Sequence, residues 1–218
     1  MVKMDIMNNR DEWISKRIST IGGSDASAIM GLNPWMSNQK LWEIKTGHIA
    51  QEDISDNPIV RYGINAEPLM REMFKLDYPQ FKVDYVDNNI WTNSDYPFAH
   101  ASLDGWLTDE NGNMGIFENK TCNIANKTQL SHWTDKIPDY YYCQLLHYLL
   151  VTDFSFAILK AQLKWDAYEG HEVYCQIRHY RIERSEVEND IKLLCEKEKA
   201  FHESIINNVR PALILPGI

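Results

Sequence analysis

The chain has 218 residues, 44% hydrophobic and 24% charged, and its 31 acidic against 22 basic residues leave a formal charge of −9. That length builds one sizeable core, and no apolar run reaches the roughly 20 residues of a bilayer span. Affinity for phosphates normally comes from Lys and Arg, so the balance counts against binding nucleic acid by bulk charge, although a local basic lining can coexist with an acidic exterior.

The opening MVKMDIMNNR has no apolar stretch of the kind a signal peptide needs, so a cytoplasmic protein is expected. Helical pieces follow: one around Trp13 to Arg17, a short one after GGS ending near Gly31, and one through SNQKLWEIKTG stopped by Gly47. After Gly63, INAEPLMREMFKLDY groups Leu69, Met70, Met73 and Phe74 on one side of a helix, with Pro68 near its first turn. FKVDYV alternates as a strand, and FAHASLDGWLT and MGIFENKT flank the turn DENGN as an antiparallel hairpin. A helix through DYYYCQLLHYLLVT comes next, then strands FSFAILKAQLKW and EVYCQIRHYRI around the break DAYEG. IERSEVENDIKLLCEKEKAFHES closes as an amphipathic helix. This order predicts a single domain over 1–218 of α/β or α+β class, a central mixed or mostly antiparallel sheet flanked by helices. Cys122, Cys143, Cys175 and Cys195 form no CxxC pair, which argues against a zinc site or disulfide framework and for reduced core thiols.

Along a strand Ile116, Glu118 and Lys120 share one face. Taken alone, an edge strand with both charges in water is the better account. Buried, the two require each other or a metal. Asp104 near the end of the first hairpin strand would lie close to them. Two carboxylates at one point suit a hard cation such as Mg²⁺ or Mn²⁺, which polarises a phosphate and acidifies water, with a lysine to orient that water. Gly22 and Gly23 allow a tight turn, Ser24 is a good N-cap, and the helix DASAIM then offers amides to an anion. His100, His132, His147 and His171 lack HxH or HExxH spacing and read as ordinary polar or core residues.

The D…ExK pattern resembles the core of the PD-(D/E)XK nucleases, with a restriction-endonuclease-like fold, although Leu103 replaces the usual Pro before Asp104. More narrowly, GGSDASAIMGLNPW, LWEIKTG, NAEPLMREMF, ASLDGW, GIFENK and YCQLLHYLLVT occur in the order seen in lambda-exonuclease-like, YqaJ-type viral recombinases, from about Trp13 to Thr152. The resemblance implies that Asp104, Glu118 and the carbonyl of Asn119 bind Mg²⁺, that Lys120 orients the attacking water, and that Glu67 is an additional acid. Without the family, Glu67 is explained by the dipole at a helix's first turn. Gln144 corresponds to a glutamine placing nucleophile or phosphate, Tyr141 lies three residues before it, and Leu146 stands where the family often has a second glutamine. Arg17 and Ser24 correspond to a pocket for the 5′-phosphate of a DNA end. Trp13, one turn before Arg17, would stack near the end nucleotide or fill the core.

The implied function is a Mg²⁺-dependent 5′-to-3′ exonuclease that degrades one strand of linear double-stranded DNA for recombination. Family members form homotrimeric rings and work with a single-strand annealing protein, in a phage or prophage setting. The alternatives are an endonuclease of the same superfamily, which has no use for an end-phosphate pocket, and a catalytically inactive DNA-binding subunit, which has no use for buried acids beside a lysine. The apolar tail ALILP serves a subunit contact or finishes the core.

Overall fold

The computed structural model describes residues 1–166 and 173–215. In chain order the elements are β1 (Val2–Ile6), α1 (Arg10–Ser19), α2 (Gly23–Ile29), α3 (Asn38–Lys45), α4 (Pro58–Asp77), β2 (Lys82–Asp84), β3 (Asn89–Asn93) and β4 (His100–Ala101). They continue with β5 (Gly105–Thr108), β6 (Met114–Asn123), α5 (Lys127–Ser131), α6 (Asp139–Thr152), β7 (Phe156–Asp166), β8 (Val173–Glu183) and α7 (Arg184–Ile206). A five-stranded sheet runs β2-β5-β6-β7-β8 and a three-stranded one β1-β3-β4.

The expected hairpin forms, with Gly105 opposite Phe117 and Thr108 opposite Met114. β6 and β7 pair in parallel, which requires a crossover, and α6 supplies it. With β8 antiparallel to β7, the sheet is mixed and β6 is its central strand, so the edge-strand account of Glu118 and Lys120 fails. α6 is apolar nearly all round because it is buried between the sheet, α2 and α7. Leu145, Leu149 and Leu150 are almost fully enclosed, each contributing roughly 2 kcal/mol. α4 covers the opposite face, where Phe74 packs on Phe117.

Several expectations need correction. α4 begins at Pro58, capped by Asn57, whose side chain accepts the Ile59 N–H; Pro68 therefore lies inside the helix. Glu67 sits in the third turn, and the dipole account of it does not apply. Met70 and Phe74 face inward, but Leu69 and Met73 are 67% and 47% exposed, so the four do not share one buried face. FAHASLDGWLT is no continuous strand. The Asn89 side chain accepts the Leu103 N–H and donates to the Leu103 carbonyl, standing in for a strand partner while the chain passes from one sheet to the other. Asp104 lies at that passage, immediately before β5. Cys175 is exposed, so the thiols are not all core groups. His171 and most of the break DAYEG lie outside the described residues.

Candidate active site

A cleft of about 1400 Å³ takes in Asp104, Glu118, Lys120, Glu67 and Gln144 on one side and Trp13, Arg17 and Ser24 on the other. β6 presents Glu118 with only 2% exposure. Glu118 Oε1 meets Lys120 Nζ at 2.5 Å and accepts the Gln144 amide from α6 at 2.8 Å, while Oε2 is buried without a partner. Gln144 Nε2 also donates to the Tyr148 hydroxyl at 2.8 Å. The Asn119 N–H donates to Asp104 Oδ2 at 2.9 Å. Backbone N–H and C=O of one residue share a strand edge, so the edge carrying the Asn119 carbonyl also faces Asp104. The Asn119 side chain is buried with neither polar atom partnered.

The other cation here was not anticipated. Arg71 on α4, 6% exposed, bonds Glu67 Oε1 at 3.1 Å and the Asp104 carbonyl, and its guanidinium stacks over Tyr85 at 3.6 Å. Its only sequence signal was the four-residue step from Glu67. Fully ionised, three carboxylates would face two cations, an excess of one negative charge in a largely buried site. Burial, then Asp104, push Glu118 up to about 8, against Lys120. Burial and then Asp104 raise Glu67 to about 7. Burial likewise raises Asp104, opposed chiefly by Lys120. Burial opposes the charge on Lys120, but Glu118 and Asp104 outweigh it and hold its ammonium above the usual range.

A divalent cation fits this arrangement. Glu118 Oε2 is an orphaned buried acceptor beside a second carboxylate, and hard cations of this size take one or two carboxylates and complete their shell with water and phosphate oxygens. Among the described residues no three His, Cys, Asp or Glu side chains close into a cage. The donors form an open half-site.

The basic side is built at helix ends. Arg17, in the last turn of α1, lies over the Trp13 ring at 4.1 Å, and the Trp13 indole N–H donates to Ser102 Oγ at 3.0 Å, so Trp13 is half-buried between the two roles expected of it. Ser24 is exposed to the cleft, but it is not the N-cap: α2 starts at Gly23 with Gly22 as cap, and the Gly22 N–H is taken by Asp25. The Gly22 amide is therefore not free for an anion, and the side chains of Arg17 and Ser24 line the cleft beside it. Nor do Gly22 and Gly23 serve a positive φ. A Cβ on Gly22 would lie 2.9 Å from the His100 ring and one on Gly23 2.4 Å from Tyr148, so both are required by close packing. Lys45, from LWEIKTG, holds this side together: its buried ammonium pairs with Asp25 at 2.7 Å and donates to the carbonyls of Thr20 at 2.7 Å and Arg17 at 3.2 Å. Sequence reasoning gave Lys45 no role.

Of the histidines, His147 is buried against Glu198 on α7 at 2.7 Å and does not reach the acids, and His100 is buried with Thr20 as its partner. Leu146 is core. Tyr141 faces the site, with Lys120 Nζ 5.1 Å from its ring.

The fold is that of known exonucleases. An alkaline exonuclease from Laribacter hongkongensis, LHK-Exo, superposes with a TM-score of 0.63 over 92% of this chain and 94% of its own, at 16% identity. Its complex with dAMP matches at 0.63 over the same shares, at 15% identity. A phage related exonuclease from Haemophilus somnus 129PT gives 0.56 over 87% of this chain and 96% of its own, at 13% identity. The particular family follows from sequence: the chain belongs to the YqaJ-like viral recombinase domain family, whose model matches residues 12–155, a span holding every site residue named above. The uncharacterized protein YqaJ of Bacillus subtilis (strain 168) is 34% identical over 142 residues, 65% of this chain but 42% of that relative. No helix among the described residues is long and apolar enough to cross a membrane.

Proposed function

We propose that the protein is a divalent-metal-dependent 5′-to-3′ exonuclease that degrades one strand of linear double-stranded DNA and leaves 3′ single strands for homologous recombination. The observation that carries this reading is the single cleft in which a desolvated, over-acidic Asp104–Glu118–Lys120 cluster faces Arg17 and Ser24. Asp104, Glu118 and the backbone of Asn119, with Glu67 alongside, would hold Mg²⁺, with Mn²⁺ as a substitute. The ion supplies neutralisation of phosphate charge and acidification of water.

The chain's own residues do the rest. Lys120 orients the attacking water and its ammonium stabilises charge developing on the phosphate. Gln144, whose two N–H groups go to Glu118 and Tyr148, keeps the Glu118 carboxylate in register and leaves its carbonyl oxygen to accept from the nucleophilic water. Arg17 and Ser24 grip the terminal 5′-phosphate by charge-assisted hydrogen bonds, with Trp13 fixing the guanidinium from behind. A homotrimeric ring around DNA would keep a chain of charge −9 on its substrate by topology, and an annealing protein would receive the product strand. A cytoplasmic, phage or prophage setting fits these roles.

The test is degradation of a linear duplex labelled on one strand, with and without a 5′-phosphate, beside a covalently closed circle. Loss of the 5′-phosphorylated strand, abolished by Lys120→Ala and slowed about tenfold by Arg17→Ala, is the expected result. Cutting of the circle would make the protein an endonuclease, and no cleavage with Mg²⁺ or Mn²⁺ would leave a DNA-binding subunit.

A further inference from the structure

The GLNPW segment forms part of the cleft wall, yet neither the acidic nor the basic side uses its tryptophan. Asn33 Oδ1 accepts the backbone N–H groups of Trp35 at 2.9 Å and Met36 at 3.0 Å, and Asn33 Nδ2 donates to Ser27 Oγ on α2 at 3.1 Å. This side-chain turn pins the loop to a buried helix. What it presents is Trp35, 71% exposed at the cleft. The indole meets Tyr140 edge to face, with centroids 5.0 Å apart at 74°. Tyr140 meets Tyr141 at 4.4 Å and 60°, and Lys120 Nζ lies 5.1 Å from the Tyr141 ring. Three aromatic rings therefore lead from solvent to the lysine beside Glu118.

Leaving a large indole in water forgoes the gain from burying it, and a loop tied down by three hydrogen bonds cannot simply fold the ring away. At 71% exposure, one contact with Tyr140 leaves most of the ring open. The ligand that such a surface takes beside a phosphate-handling site is a nucleobase, since every base has a π-face and stacking is indifferent to sequence.

We propose that Trp35, braced by Tyr140, is a stacking platform for an unpaired base of the strand lying in the cleft, close to the scissile phosphate. The base lies on the indole face, and the Tyr140 and Tyr141 hydroxyphenyl groups line the approach of its backbone to Lys120. This inference rests on the nuclease reading for its ligand, but its test is one of binding and does not require cleavage.

The probe is a duplex whose 5′-phosphorylated end carries a few unpaired bases, measured with Ca²⁺ to suppress turnover, against wild type, Trp35→Ala and Trp35→Phe. Each unpaired base is replaced in turn by an abasic site. Trp35→Ala is expected to weaken binding roughly tenfold and Trp35→Phe by much less. At one position the abasic and Trp35→Ala losses should fail to add, because both remove the same stack. Additive losses at every position, no binding of the probe, or a changed oligomeric state in Trp35→Ala without such coupling would overturn the platform. If the coupling appears in a protein that cleaves neither linear nor circular DNA, the nuclease reading fails and the stacking site stands. If linear DNA is degraded but the losses add, only the platform falls.

Discussion

The two sides of the cleft are held in opposite ways. On the basic side the buried polar groups are matched: Lys45 satisfies Asp25 and two helix-end carbonyls, Asp25 takes the Gly22 N–H, and Thr20 takes His100. On the acidic side three carboxyls crowd two cations, Glu118 Oε2 has no partner, and burial drives Glu118 and Glu67 up to about 8 and about 7. Local satisfaction suits a grip that must keep its shape before and after each event. Local frustration suits a place where a cation and a phosphate arrive to complete the charge balance. Substitutions should therefore separate, with the acidic side losing chemistry and the basic side losing stability or selectivity, except at Gly23, which packs on the Gln144 that serves Glu118.

The largest expected effect is on the acidic side. Lys120→Ala should lower kcat by about 10³ or more, in the range of a lost proton-handling group. Glu118→Gln should do the same while raising the melting temperature of metal-free protein above about pH 8, where the wild-type carboxyl is forced to ionise in a buried site. A Glu118→Gln protein that melts lower than wild type in chelator at that pH would show that the site is balanced without metal. On the basic side, Lys45→Met strands Asp25 and the carbonyls of Arg17 and Thr20, and should cost about 3 kcal/mol, seen as a melting temperature lower by roughly 6–12 °C. Gly23→Ala drives a methyl into Tyr148 and the Gln144 stem and should cost about 2 kcal/mol. Its cleavage rate should fall too, because Gln144 is what α6 hands to Glu118. Unchanged melting in both variants would erase the contrast between the two sides.

What could be read in advance follows the range of the interactions. The hairpin, α6 and the shared face of Glu118 and Lys120 were legible because alternation and turn residues are local signals. The short strand β1 was not, since it exists only by pairing with β3 some 90 residues away, Val2 with Asn93 for example. The true start of α4 lies upstream of INAEPLMREMFKLDY, at Asn57-Pro58, a cap followed by proline at the first position, whose signal is separate from the apolar spacing after Gly63. That one boundary error placed Glu67 in a first turn and gave it a dipole to explain it. Ser24 erred by two positions for a related reason: small residues crowd that helix start, and packing against His100 and Tyr148 decides which one caps. Arg71 offers only its four-residue step from Glu67, and Lys45 offers no local signal, because Asp25 and the backbone carbonyls these two bind are brought near only by the fold.

The smallest effect sharpens the comparison most, because it reads the acidic side without cleavage. A carboxyl whose folded value is raised binds its proton more tightly in the native state. The stability it contributes is complete below the ordinary value of 4.5 and is lost as pH rises through the folded value. For Glu67 and Glu118 that window runs from about 4.5 to about 7 and about 8. The metal-free protein should therefore lose several degrees of melting temperature toward pH 8. Added Mg²⁺ should restore them, since a bound cation favours the charged carboxylates and removes the linkage. Two buried histidines titrate nearby, His100 lowered first by burial and His147 raised by Glu198 against its own burial. Neither touches the carboxylates, so their contribution is common to both curves and cancels in the difference between Mg²⁺ and chelator. That difference should grow from near zero at pH 5 to its maximum near pH 8, and Glu118→Gln should shrink it. Parallel curves across the range would mean that the crowded carboxyls never see the ion, and the acidic side would then need another explanation for its excess charge.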